Sequence, residues 1–264
     1  MKTNLVKVKN MNKSFGGLKA INDCSIEIEE NSITGIIGPN GSGKSTLFNL
    51  ITGNLKPDGG SVFYNGLDIT GKEPFELFNL GILRTFQIAH EFSNLTVIEN
   101  LMMVPGNQLG EDLVTSIFSR EKFRNQENEI KEKAFEVLKF LKIDHLMNEK
   151  AGNLSGGQKK LLELARTMMV DAKIVFLDEV GAGVNKSLLK EISESILKLN
   201  EERKYTFCII EHDIDFITKL CNPVIVLAEG KVLFQGTAEE VKENNEVIES
   251  YLGKSNWCFL VQKI

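Results

Sequence analysis

The 264-residue sequence is poor in the features that would cross-link a fold, anchor it in a membrane or coat a nucleic acid. It has four cysteines, Cys24, Cys208, Cys221 and Cys258, and no two of them stand in C-x-x-C spacing. That scatter argues against a disulfide framework or a metal site and reads as reduced, mostly packed thiols of a cytosolic protein. No apolar run approaches the ~20 residues that a membrane-spanning helix needs. Met1 to Lys13 is polar and lacks the apolar block of a signal peptide. Work at a membrane would therefore pass through a partner. Lys and Arg (31) are outnumbered by Asp and Glu (36), for a net charge of −5. With no basic tail or stripe, this balance argues against nucleic acid as a partner. The length suffices for one large domain, or a core with a subdomain, around a sizeable interior.

What the sequence does have is the stretch SITGIIGPNGSGKST from Ser32 to Thr46. Ile33, Ile36 and Ile37 read as a short buried strand, and Gly38, Gly43, Lys44 and Ser45 match G-x-x-x-x-G-K-[ST], the phosphate-binding P-loop. The glycines leave backbone N–H groups free to turn around an anion, and the helix starting near Lys44 points its positive end at the same place. Lys44 can reach the β- and γ-phosphates, and the Ser45 hydroxyl is placed to ligate Mg²⁺. The apolar spacing of Leu47, Leu50 and Ile51 supplies the following helix.

Around this centre, Leu5, Val6 and Val8 alternate with lysines, and Ile26 and Ile28 alternate with glutamates, as in half-exposed strands. Phe15, before Gly16-Gly17 in the turn between them, is either loop packing or a flat platform for an adenine ring. Ser61–Tyr64, Asn65-Gly66 and Leu67–Ile69 form a hairpin signal. Antiparallel strands flanking a P-loop strand predict a mixed α/β architecture. Gln87 follows the apolar run Gly81–Leu83 and by itself carries little. From about 89 to 166 the strand signal fades. Thr96 and Glu99 form a capping box opening a helix over Leu101–Val104. Gly and Pro mark a loop between Pro105 and Gly110, and Leu113, Val114, Ile117 and Phe118, then Ile130, Ala134, Val137, Leu138 and Leu141, repeat at helical spacing. This predicts a helical subdomain with a solvated charged face. It ends in Leu154-Ser155-Gly156-Gly157-Gln158, a Ser/Gly turn at a helix N-terminus, again suited to anions.

Lys173–Leu177 then reads as a buried parallel strand ending in Asp178-Glu179, where open α/β sheets place their ligands. Beside a P-loop, Asp178 is expected to hold Mg²⁺ and Glu179 to activate the attacking water. The strand Thr206–Ile210 ends in Glu211-His212-Asp213, so His212 could contact a γ-phosphate or that water. Val224–Leu227 and Lys231–Phe234 read as two last strands, and Thr237 with Glu240 as the capping box of a closing helix. The tail 254–264 is frayed or docked.

The ordered set GPNGSGKST (38–46), Gln87, LSGGQ (154–158), IVFLDE (174–179) and His212 resembles the ATP-binding cassette of ABC transporters over about residues 1–253. LSGGQ is its most specific part. The resemblance implies a P-loop NTPase core with a RecA-like, mostly parallel sheet, an antiparallel β subdomain and the helical subdomain as an insertion. It implies that Phe15 stacks on adenine and that Gly38, Pro39, Asn40, Gly41, Ser42, Gly43, Lys44, Ser45 and Thr46 bind the phosphates of ATP. Gln87 would sense Mg²⁺ and water, with Ser45 and Asp178 at the metal; Glu179 would be the base and His212 the switch residue. Ser155, Gly156, Gly157 and Gln158 would complete the site of a second cassette, identical or not, in an ATP sandwich.

A finer likeness to branched-chain amino acid importer cassettes rests on FGGLKAIND (15–23), TLFNLITG (46–53), RTFQ (84–87), LTVIENL (95–101), GAGVN (181–185), IEHDIDFI (210–217) and EVIESYLG (246–253). Within that importer it resembles the ATPase with the longer helical insertion. This implies two permease partners, an indirect periplasmic solute-binding protein, and a place on the cytoplasmic face of the plasma membrane. Urea, amide and lipopolysaccharide-export cassettes share much of the core and stand as the alternative cargo. Cassettes acting on ribosomes or DNA generally carry two cassettes or a long coiled coil, and this chain shows one cassette and no sustained heptads. Three positions depart from the usual cassette pattern: Val180 stands for the usual proline, Lys159-Lys160 for an arginine-containing continuation, and Asn185 for the aspartate of most cassettes, where the branched-chain subfamily often has asparagine. Activity is expected to survive all three.

Overall fold

The computed structural model describes residues 3–85, 91–106, 108–109, 120–170 and 172–252. Gln87, the helical positions Leu113, Val114, Ile117 and Phe118, and the tail 254–264 lie outside them. Ten strands occur among the described residues: β1 (Asn4–Phe15), β2 (Leu18–Glu29), β3 (Ile33–Ile37), β4 (Gly59–Tyr64), β5 (Leu67–Asp68), β6 (Ile82–Arg84), β7 (Ile174–Asp178), β8 (Thr206–Ile210), β9 (Val224–Ala228) and β10 (Lys231–Gly236).

They form two sheets. The first, β2-β1-β4-β5, is antiparallel. Its β4–β5 hairpin turns on Asn65 and Gly66 with φ of 49° and 79°, the double positive φ for which Asn-Gly is suited. The second has the order β10-β9-β3-β8-β7-β6, parallel from β9 through β6, with β10 antiparallel at its edge. Every residue of β3, β7 and β8 is buried, which is why these strands read as unbroken apolar runs rather than alternations. β1 and β2 are 12 residues each, longer than their alternation suggested. Register shifts, with Asn10 and Asp23 at φ 46° and 54°, break the period-two pattern in mid-strand.

By internal contacts the chain divides into two units. One comprises Met1–Arg84, Lys173–Gly181 and Ile196–Ile264 and contains both sheets. Its core joins Val6, Val8, Ile26 and Ile28 of the antiparallel sheet to Ile36, Phe176, Cys208 and Ile210 of the parallel one, with Leu47, Phe48, Leu50 and Ile51 of the helix Lys44–Ile51. Phe48 meets Phe176 edge to face at 5.1 Å. Burying each ring contributes roughly 1.5–3 kcal/mol, and the edge-to-face geometry up to about 1 kcal/mol more.

The other unit comprises Thr85–Ala172 and Ala182–Ser195 and has no strand among its described residues. It holds the helices Val97–Met102, Arg120–Phe140 and Gly156–Met168 and the start of Lys186–Arg203. The Thr96–Glu99 capping box is formed as expected, but its helix runs Val97–Met102, so Met103 and Val104 fall beyond it. Ala134, Val137, Leu138 and Leu141, at helical spacing, face the interior.

Candidate active site

Register across three neighbouring strands sets the site. Ile36 of β3 pairs with Ile210 of β8, and Ile210 pairs with Asp178 of β7. The chain thus leaves all three strands side by side at their carboxyl ends, where parallel sheets present ligands. The P-loop follows β3, Asp178 and Glu179 end β7, and Glu211 and His212 follow β8.

The P-loop is a backbone cradle. Gly38, Gly41 and Gly43 have φ of 154°, 81° and 101°. A Cβ at Gly38 would lie 2.2 Å from the Leu227 carbonyl oxygen, and one at Gly43 2.5 Å from that of Ala20, so both places require glycine. Gly43 is the N-cap of the helix Lys44–Ile51, which has neither a capping side chain nor an acidic residue in its first turn, so its N–H groups suit an anion. Lys44 is buried, and its Nζ donates to the carbonyls of Gly38 (2.8 Å) and Pro39 (3.1 Å). Burial pushes its ammonium below the ordinary lysine value, and the charges of Glu179 and Asp178 oppose that shift. Ser42 Oγ is buried without a hydrogen-bond partner, a polar atom that a bound group would satisfy. Asn40 and Ser45 are exposed, with Thr46 half-buried beside them. These features fit a polyphosphate. Phe15 ends β1 with 48% of its surface exposed and the Lys13 ammonium 5.8 Å from its ring centre, so the ring is open to stacking.

The carboxylates occupy different surroundings. Asp178 is buried, and its Oδ2 accepts from Arg84 Nη2 at 2.8 Å. Arg84 also donates to Asn49 Oδ1 and lies 5.9 Å from the centre of the Phe48 ring. This ion pair joins residues 94 positions apart, so no local spacing in the sequence signals it. Glu179 continues the ladder through its N–H to the Ile210 carbonyl (3.0 Å) and then adopts φ 51°, left-handed for a non-glycine residue. Such a conformation costs on the order of 1–2 kcal/mol and clusters at working sites. Its Oε1 lies 2.9 Å from His212 Nε2, so the expected base and switch residue touch. Glu211, next to His212 in sequence and without a role in the sequence analysis, is buried. It accepts from the backbone N–H groups of Gly181 and His212. Burial, with the Glu179 charge, pushes its carboxyl above the usual range, and the two N–H bonds oppose that shift.

In the helical unit, Ser155 is the N-cap of Gly156–Met168 in a reciprocal capping box. Gln158 N–H donates to Ser155 Oγ (3.4 Å), and Ser155 N–H donates to Gln158 Oε1 (2.9 Å). A Cβ on Gly157 would lie 1.9 Å from Leu188 Cδ2 of the neighbouring helix Lys186–Arg203, so a larger residue would force the half-buried Leu188 side chain to move; on Gly156 the nearest atom would be 3.8 Å away. Asn185 caps that neighbouring helix by accepting from Leu188 N–H at 2.9 Å, a role open to aspartate or asparagine alike. Lys159 pairs with Glu91 at 2.6 Å.

Fold and site together define a P-loop nucleotide-binding α/β protein. The ABC transporter family pattern matches residues 21–182. A probable branched-chain amino acid transport ATP-binding protein of Archaeoglobus fulgidus is 45% identical over 94% of this chain and 95% of its own length. The ADP conformation of an ATP-binding cassette from an ABC transporter aligns at TM-score 0.81 and 40% identity, covering 96% of this chain and 100% of that one. A dimeric bacterial ABC transporter cassette aligns at TM-score 0.72 and 26% identity, covering 88% of this chain and 98% of that one. The chain belongs to the ABC transporter family, as one of its nucleotide-binding cassettes.

Proposed function

We propose that this chain is the ATP-hydrolysing subunit of an importer for branched-chain amino acids, working through separate permease subunits. One observation carries the chemical part: the Ile36–Ile210–Asp178 row of the sheet brings Lys44, Glu179 and His212 to a common edge. The P-loop backbone and Lys44 hold the phosphates of ATP, and Phe15 stacks on the adenine. Ser45 and Asp178 have the hard oxygen donors that suit Mg²⁺, with Gln87 as the third residue assigned to it. Bound there, Mg²⁺ would neutralise charge building on the phosphates. Glu179 takes the proton of the attacking water, and His212, in contact with Glu179, orients that carboxylate and meets the γ-phosphate side.

Ser155, Gly156, Gly157 and Gln158 complete the site of a second cassette, whose own P-loop they face in an ATP sandwich. The two cassettes sit on two permease subunits at the cytoplasmic face of the plasma membrane, and a periplasmic solute-binding protein delivers the cargo. Among the described residues no helix is long and apolar enough to cross a membrane. The cargo assignment draws on the names of the relatives. Its test is co-purification with the native permeases, followed by ATPase measurement with solute-loaded binding protein. Leucine-like amino acids should stimulate turnover; stimulation by urea and not by these amino acids would overturn the cargo.

A further inference from the structure

Glu211 is an ionisable group in a place that is costly for a charge. It follows β8, whose five residues are all buried, and is itself only 5% exposed. A buried carboxylate persists where donors compensate it, and here both oxygens are engaged by backbone. One accepts from Gly181 N–H, two residues beyond Glu179, and the other from His212 N–H at 3.1 Å. Two further links close the ring: Glu179 N–H to the Ile210 carbonyl at 3.0 Å, and His212 Nε2 to Glu179 Oε1 at 2.9 Å. Glu179 turns through φ 51°, and the next residue is Val180, which lacks the ring that would fix its own φ. Something else must hold this turn, and the Gly181 N–H is its first anchor past Val180.

We propose that Glu211 is a positioning residue for ATP hydrolysis, its carboxylate tying the turn that carries Glu179 to the turn that carries His212. It touches no reacting atom. It fixes two backbones, so that the base and the histidine meet in one geometry. This rests on the assignment of Glu179 as the base.

The two donors sit on different oxygens, so glutamine is a sharp probe. An amide has one acceptor oxygen, and its NH₂ would face the other N–H, donor against donor. The experiment compares wild type, Glu211→Gln, Glu211→Ala and Glu179→Gln as full-length chains assembled with the partner cassette and permeases. Glu211→Gln should lower kcat by about tenfold or more while KM stays within about twofold, the pattern of a lost transition-state arrangement. ATP affinity should stay near wild type, while the buried donor–donor contact should lower the melting temperature by a few degrees. In the full-length chain, the backbone amide proton resonance of Gly181 or of His212, whichever faces the NH₂, should move upfield in Glu211→Gln as its hydrogen bond is lost. Glu211→Ala should lose at least as much turnover.

Wild-type kcat in Glu211→Gln, with Glu179→Gln inactive, would overturn the inference and leave the base assignment standing. So would a fall of ATP affinity in parallel with kcat and melting temperature, the mark of a residue that only supports the fold. Normal turnover in Glu179→Gln would remove the base assignment and this inference with it.

Discussion

The helices Lys44–Ile51 and Gly156–Met168 both begin on glycine-rich turns, and both were read from sequence as anion-binding ends, yet they are built in opposite ways. The first has glycine as its N-cap and no capping side chain, and a lysine folded back onto the loop carbonyls. Its glycines are demanded by backbone conformation and by contacts with the Leu227 and Ala20 carbonyls. The second is capped reciprocally by its own Ser155 and Gln158, and its Gly157 packs against the side chain of Leu188. The P-loop is therefore a cradle that a ligand completes. The serine-glycine turn is already complete as a helix start, with Ser155 and Gly156 exposed and Gly157 buried. That division suits a site whose nucleotide belongs to one cassette and is covered by another.

The largest test of this difference is Lys44→Ala. It should weaken ATP binding by about 2–3 kcal/mol, on the order of a hundredfold, because a charged donor to the phosphates is lost. Titration of the full chain with ATP measures it, and a loss under fivefold would mean the cradle works without its cation. Next comes Gly157→Ala. Forcing a methyl against Leu188 should cost about 1–3 kcal/mol in denaturant unfolding, whereas Gly156→Ala should change stability by no more than about 1 kcal/mol. Equal effects at the two positions would erase the packing argument. Ser155→Ala should cost less stability than Gly157→Ala, about 1 kcal/mol from the lost cap. ATP binding by the chain alone should not change in that variant, while ATPase activity of the paired cassettes should fall at least tenfold, the scale of a lost transition-state contact.

The legibility of these regions follows from how local their physics is. β3, β7 and β8 stand out as continuous apolar runs because both faces are covered. The hairpin at Asn65-Gly66 and the capping boxes at Thr96–Glu99 and Thr237–Glu240 were readable because each is set within four residues. Contacts that span the sequence were not. Nothing near Arg84 in sequence points to Asp178, and only the pairing of β6 with β7 brings the two together. Glu211 was hidden in the same way, although one signal was available: a glutamate directly after five buried residues has to find donors. Asn185 was read as a family difference, whereas locally it is a helix cap. Gly157 shows the converse, since its spacing suggested an anion turn and the structure adds a packing contact.

The account's central claim is that nucleotide held in the Gly38–Thr46 cradle is closed over by the Ser155–Gln158 turn of a second cassette. Light scattering on Glu179→Gln protein, with Mg²⁺ and ATP and each plausible companion cassette, tests it most directly. The account predicts an ATP-dependent dimer that Ser155→Ala weakens and that disperses when the nucleotide is removed. Material that stays monomeric with ATP bound, alone and with every companion, would contradict it.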